Sequence, residues 1–113
     1  PLGAGIGPSP DQLLCAAVGN CMSDSLLFAL RKFKQSPEPI HCEVTAEKGR
    51  NAQGRLRIAR ISVTLTLGVA AEALQHLDRV LVQFEEFCTV GASVAQAIPT
   101  EVHVKDATGK TLK

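Results

Sequence analysis

The chain has 113 residues, of which 45% are hydrophobic and 20% charged, with a formal net charge of +1. That balance excludes a disordered chain and leaves no overall electrostatic footprint for nucleic acid. Four Phe with no Trp or Tyr mean a core of Leu, Val, Ile and Ala, and no aromatic interleaving to stack bases.

Residues 1–113 make one domain. A chain this short buries a smaller fraction of its surface than a large one, and dimerisation is one way to complete its core. No uninterrupted apolar run reaches transmembrane length and no secretory signal pattern is visible, so no membrane partner is expected. The first residue is Pro rather than Met, which fits a processed protein or a piece of a longer one.

The segment "PLGAGIGPSPDQ" (1–12) reads as a Gly/Pro loop. Its glycines do not match GxGxxG and no strand precedes them, so a phosphate cradle has little support. Ser9-Pro10-Asp11 fits a helix start, with Ser at the cap, Pro at the first helical position and an acid in the first turn. The helix is predicted from Pro10 to Lys34. Leu13, Leu14, Ala16, Ala17, Val18, Met22, Leu26, Leu27, Phe28 and Leu30 leave it almost no polar face, which predicts burial on all sides. Arg31, Lys32 and Lys34 suit its C-terminal end, and Ser36-Pro37-Glu38-Pro39 stops it.

"IHCEVTAE" (40–47) alternates, with Ile40, Cys42, Val44 and Ala46 on one face of a half-buried strand. A turn over 48–54 leads to a second strand over 55–67, making a hairpin whose apolar phase slips near Ala59-Arg60, the mark of a bulge. Arg50, Arg55, Arg57 and Arg60 read as a solvated strand face. Residues 68–87 return to helical period through Ala70, Ala73, Leu74, Leu77, Val80, Leu81 and Phe84, with His76 off the stripe and solvated. A short helix over 88–98 and a closing strand over 99–106 complete the order α-β-β-α-α-β. Helices are not interleaved with strands, so the class is α+β rather than doubly wound.

Chemistry centres on four cysteines: Cys15, Cys21, Cys42 and Cys88. There is no CxxC, and His41, His76 and His103 do not pair with them at zinc-ligand spacing, so no metal is expected. Without a secretory signal they read as reduced thiols in a cytoplasmic protein. Cys15 and Cys42 sit among apolar neighbours and read as core residues. Cys21 has Asn20 beside it and Asp24 and Ser25 on its own helix face, either a polar seam at a helix crossing or the surroundings of a functional thiol. Cys88 falls at a predicted helix N-terminus, which favours a thiolate, while Glu85 and Glu86 oppose one.

Two stretches carry a resemblance. "PDQLLCAAVGNC" places Asp11 at an acidic position ten residues before Cys21, and "FEEFCTVGASVAQAIPTEVHV" places Cys88 between an amphipathic helix and a short helix plus final strand. In order and spacing, from about Pro8 to Val104, the chain resembles the OsmC/Ohr family of osmotically induced and organic-hydroperoxide-resistance proteins. The resemblance implies an OsmC-like α+β fold, a long buried central helix packed on an antiparallel sheet, and an intertwined homodimer with active sites at the subunit interface. It implies a thiol peroxidase without metal, haem or flavin. Cys21 would be the peroxidatic thiol, Cys88 the resolving thiol, and Asp11 an acidic partner; the substrate would be a small organic hydroperoxide and the reductant a dithiol. Asp11 and Cys21 lie about 15 Å apart along one helix, so Asp11 would have to serve the other subunit's site.

The sequence also departs from the family pattern. Strands that precede the helix in the family, with the arginine that stabilises its thiolate, have no match here. The acid is Asp rather than Glu, and the second motif is Cys-Thr-Val-Gly rather than Cys-Pro-x-Ser. The stretch "LFALRKFKQSPEPIHCEVTAEK" is nearer a less characterised branch. The alternative is a non-catalytic OsmC-like dimer that binds a small apolar or electrophilic ligand at its interface; a dimerisation module with inert cysteines is the third reading. The peroxidase reading predicts a lowered Cys21 pKa and Cys21 and Cys88 within disulfide reach, with Cα atoms under about 7 Å apart.

Overall fold

Ser9 starts the first helix, α1 (Pro10–Lys32), through a reciprocal capping box. Its hydroxyl accepts the Gln12 amide at 3.2 Å, and the Gln12 side chain accepts the Ser9 amide at 2.8 Å. The computed structural model describes residues 3–113, so Pro1 and Leu2 of the predicted loop lie outside the described residues. α1 ends two residues before the expected Lys34, which instead takes a left-handed conformation.

Val18, Met22, Leu26 and Leu30, spaced one turn apart, are the side chains α1 buries. Within the chain the expected all-round burial is therefore confined to one stripe, and Leu13 (57% exposed) and Phe28 (63%) face solvent. By length and composition alone α1 would pass for a membrane-spanning helix; here it lies against a sheet. Gly19 permits the close crossing. A Cβ there would lie 2.8 Å from Val44 Cγ2 and 3.2 Å from Cys42 Sγ.

β1 (His41–Arg50) and β2 (Leu56–Thr66) form the expected antiparallel hairpin. β1 runs three residues past its predicted end. The turn is closed by Asn51, whose side-chain oxygen accepts the amides of Gln53 and Arg55 at 3.0 Å each. Glu47 pairs with Arg60 and Lys48 with Ile58, so Ala59 is the unpaired bulge residue that produces the phase slip.

β3 (Thr100–Lys105) adds to the far side of β2, with Val63 opposite Val102 and Leu65 opposite Val104. It runs parallel to β2. The sheet is therefore mixed, and antiparallel pairing holds for β1–β2 only. The helices between β2 and β3 form the crossover that a parallel pair requires. Ile61, Val63, Leu65 and Val104 meet the α1 stripe in the core, while His41, Glu43, Thr45, Glu47, Glu101 and His103 stay exposed. The basic cluster is solvated as expected, with Arg60 paired to Glu101 and Arg50 donating to the Gly54 carbonyl.

The helix expected over 68–87 is broken. A 3-10 turn (Ala71–Ala73), an extended Leu74 and a left-handed His76 precede α2 (Leu77–Gln83), and a second 3-10 turn (Phe84–Phe87) follows it. Other elements take the amides that would have continued the helix. Ala71 N–H donates to Asp106 and Gln75 N–H to Gln35, each at 2.9 Å, and the His76 ring stacks on Phe33 with centroids 4.5 Å apart. The apolar stripe survives the break, because Val80, Leu81 and Phe84 are still buried. α3 (Thr89–Ala95) begins directly after Cys88.

Candidate active site

Cys21 and Cys88 meet where α1 crosses the start of α3. Cys21 occupies the middle of α1, beside the buried Met22, and is partly exposed. Cys88 is fully buried and caps α3, its sulfur accepting the Gly91 amide at 3.3 Å. Cys88 and the backbone of Val90 and Gly91 are the groups that favour the thiolate of Cys21. Gly91 makes the junction possible. A Cβ on it would sit 2.5 Å from Met22 Cε and 2.8 Å from Cys88 Sγ.

The electrostatics of the pair are asymmetric. Burial raises the Cys21 thiol, but hydrogen bonds from Cys88, Val90 and Gly91 outweigh it and hold Cys21 below its ordinary value; Asp24 acts against them. Cys88 is pushed up to about 11, chiefly by burial and then by its bond to Cys21, with Gly91 and the Ser25 hydroxyl working the other way. The helix-start effect anticipated at Cys88 is thus overturned by burial, and the α3 amides favour a thiolate on Cys21. Glu85, expected to oppose a thiolate on Cys88, is paired with Lys113. The arrangement suits a thiolate on Cys21 and a neutral, hydrogen-bonding thiol on Cys88.

The polar residues around Cys21 divide between two sides of α1. Asn20 and Ser23 line a groove of about 750 Å³ between α1 and β1, shared with Cys15, Cys42 and Asp11. Cys42 packs at the edge of the core as expected. Cys15 does not join the core and lines this groove; burial pushes both thiols up. Asp11 pairs with Lys48 at 2.9 Å and is not among the groups acting on Cys21, so no contact joins it to the thiol pair within one chain.

Asp24 and Ser25 open on a second groove, about 710 Å³, between the C-terminal half of α1 and α2 with the 3-10 turn that follows. Phe28, Phe33, Phe84 and Phe87, all the phenylalanines of the chain, line it, with Arg31, Lys32 and Arg79 among their neighbours. Sequence reasoning missed this groove. Phe28 and Phe84 lie 56 residues apart in the chain, and only the packing of α2 against α1 brings them together. It also missed the Val90 and Gly91 amides, for which the glycine three residues after Cys88 was the available signal. Among the described residues, no group of three or more His, Cys, Asp and Glu side chains converges to hold a metal ion.

A mixed three-stranded sheet under one long helix, with a thiol pair at the junction with a short third helix, defines an α+β protein organised around two cysteines. The chain belongs to the OsmC-like protein family, whose model matches residues 3–103. Solved structures agree on the fold. An OsmC-like protein from Mycoplasma pneumoniae superposes with a TM-score of 0.75 at 12% identity, over 94% of this chain and 77% of that one. An organic hydroperoxide resistance protein OsmC from Legionella pneumophila gives 0.72 at 13% identity, over 91% and 73%. The organic hydroperoxide resistance protein OhrB of Bacillus subtilis gives 0.72 at 14% identity, over 88% and 71%. A search of curated proteins returned no match.

Proposed function

We propose that the protein is a cysteine-based thiol peroxidase that reduces organic hydroperoxides to alcohols. The observation that carries this reading is the asymmetric thiol pair, with Cys21 lowered and partly exposed and Cys88 raised and buried against it. The Cys21 thiolate attacks the distal oxygen of the hydroperoxide. The O–O bond breaks, an S–O bond forms, sulfur loses two electrons to the peroxide, and the departing alkoxide takes a proton to leave as the alcohol. Cys88 sulfur then attacks the Cys21 sulfenic acid. The S–S bond forms, the hydroxyl leaves with the Cys88 proton as water, and a dithiol reductant restores both thiols by exchange.

The reading includes a cytoplasmic homodimer. α1 leaves Leu13 and Phe28 exposed beside Ala17, an apolar side that a second copy would cover. Asp11, which cannot reach Cys21 in its own chain, would then act across the interface. Hydroperoxide consumption by the reduced protein, with dithiothreitol as reductant, tests the reading. Turnover that disappears in Cys21→Ser supports it; turnover that survives that change contradicts it.

The apolar groove beside the thiols favours a second reading, an OsmC-like dimer that binds an apolar or electrophilic ligand without turning it over. Ligand binding with no hydroperoxide consumption selects it.

A further inference from the structure

The hairpin of β1 and β2 ends in an arm of one charge. Residues 48–71 hold Lys48, Arg50, Arg55, Arg57 and Arg60 and no Asp or Glu. β3 stops at Thr100, opposite Ile61, so residues 56–60 carry the hairpin roughly 16 Å past the three-stranded part of the sheet. Lys48 and Arg60 are committed, Lys48 to Asp11 at 2.9 Å and Arg60 to Glu101. Arg50, Arg55 and Arg57 are exposed at the end of the arm and form no ion pair with a described residue. Arg50 and Arg57 donate to the carbonyls of Gly54 and Leu56 at 2.8 and 2.7 Å, which orients their charges without neutralising them.

Apolar surface lies among these charges. Leu56, between Arg55 and Arg57, is 55% exposed. It stands opposite Arg50 and shares its face of the hairpin, while Arg57, opposite Gly49, takes the other face. The Lys48–Asp11 pair brings the start of α1 to the base of the arm. The loop that enters α1 there carries Ile6, 91% exposed. A nucleic acid would engage the cations and leave Leu56 and Ile6 in water, and the arm has no aromatic ring to stack a base. An anionic lipid surface engages both kinds of group. Its phosphates meet the guanidinium groups, and the apolar side chains enter the acyl boundary.

We propose that the hairpin arm is a docking surface for an anionic phospholipid bilayer, with Arg50, Arg55 and Arg57 on the headgroups and Leu56 inserted among them. The expectation of no membrane partner concerned spanning segments and leaders; contact at the lipid surface requires neither. The association is peripheral, reversible and screened by salt.

Cosedimentation of the full chain with vesicles tests this. One set is phosphatidylcholine alone, the other phosphatidylcholine and phosphatidylserine at about 70:30. Each arginine near an anionic surface contributes about fivefold, so three should give partition on the order of a hundredfold stronger onto the anionic set at low salt. The preference should fade as salt is raised. Arg55→Gln and Arg57→Gln should each cost about fivefold, and Leu56→Ser about tenfold. Lys105→Gln should leave binding intact. It makes the same charge change opposite Thr66, roughly 33 Å along β2 from Leu56. Equal partition onto the two sets, a preference unmoved by the arginine variants, an unchanged Leu56→Ser, or an equal loss in Lys105→Gln would overturn the proposal. Tighter binding to a DNA duplex than to the anionic vesicles, insensitive to Leu56→Ser, would assign the arm to nucleic acid and overturn it as well.

Discussion

Cys21 and Cys88 are neighbours that act on each other, and the two sulfurs are driven in opposite directions, Cys21 below its ordinary value and Cys88 up to about 11. One contact thus supplies both halves of a division of labour. A thiolate is the reactive form of a cysteine, and only one of the pair is held as one.

Removing Cys88 should raise the Cys21 thiol. In Cys88→Ala the Cys21 thiol loses its largest stabilising partner, and its pKa should move up toward the ordinary cysteine value. Alkylation rate against pH, followed at the Cys21 peptide, reads this directly. The rise in rate should shift to higher pH in the variant, and an unshifted profile would mean that the amides of Val90 and Gly91 suffice alone.

Gly91→Ala should destabilise the protein by about 1–3 kcal/mol, the usual range for overpacking a filled core. The added Cβ meets Met22 Cε at 2.5 Å and Cys88 Sγ at 2.8 Å. Denaturant unfolding measures the cost. The penalty should shrink in a Met22→Ala background, because the two changes share one contact; strict additivity would place the strain elsewhere.

Asp106 gives the fold a pH dependence. It has no solvent exposure, and its carboxyl is held at about 2 by the Thr108 hydroxyl at 2.6 Å and the amides of Ala71, Lys110 and Thr108. An unfolded Asp titrates near 3.9. The native pKa is the lower one, so this stability is present above about pH 4 and is lost as pH falls toward 2. Asp106→Ala should lower stability at neutral pH and flatten its fall between pH 4 and 2. A variant whose acid unfolding curve keeps the wild-type slope would assign that dependence to other carboxylates.

The exposed apolar side of α1 should be a subunit contact. Leu13→Lys places a charge on it, and sedimentation velocity should show a dimer in the wild-type protein and a shift to monomer in the variant. A monomeric wild-type protein at working concentration would contradict the homodimer.

Local signals in the sequence were strongest where chemistry is local. Ser9-Pro10-Asp11 marked the helix start, Cys88 the start of α3, and the phase slip at Ala59 the bulge. Periodicity misled where tertiary contacts decided. The stripe from Ala70 to Phe84 promised one helix, but amides at Ala71 and Gln75 are taken by Asp106 and Gln35, partners about 35–40 residues away that no window of sequence contains. The direction of β3 depended on the crossover, not on its own residues. At the site, the two cysteines could be singled out by surroundings and spacing. Their contact, the amides that favour the Cys21 thiolate and the aromatic groove beside it all arise from the crossing of α1 with α2 and α3, which spacing along the chain does not encode.

If Cys21 and Cys88 form one redox couple, intact mass under non-reducing conditions shows it most directly. Reduced protein would receive one equivalent of an organic hydroperoxide. Rapid loss of about two mass units is expected, mapped by peptide analysis to a Cys21–Cys88 link and absent in Cys21→Ser. No mass change, or a disulfide joining any other pair of the four cysteines, would contradict it.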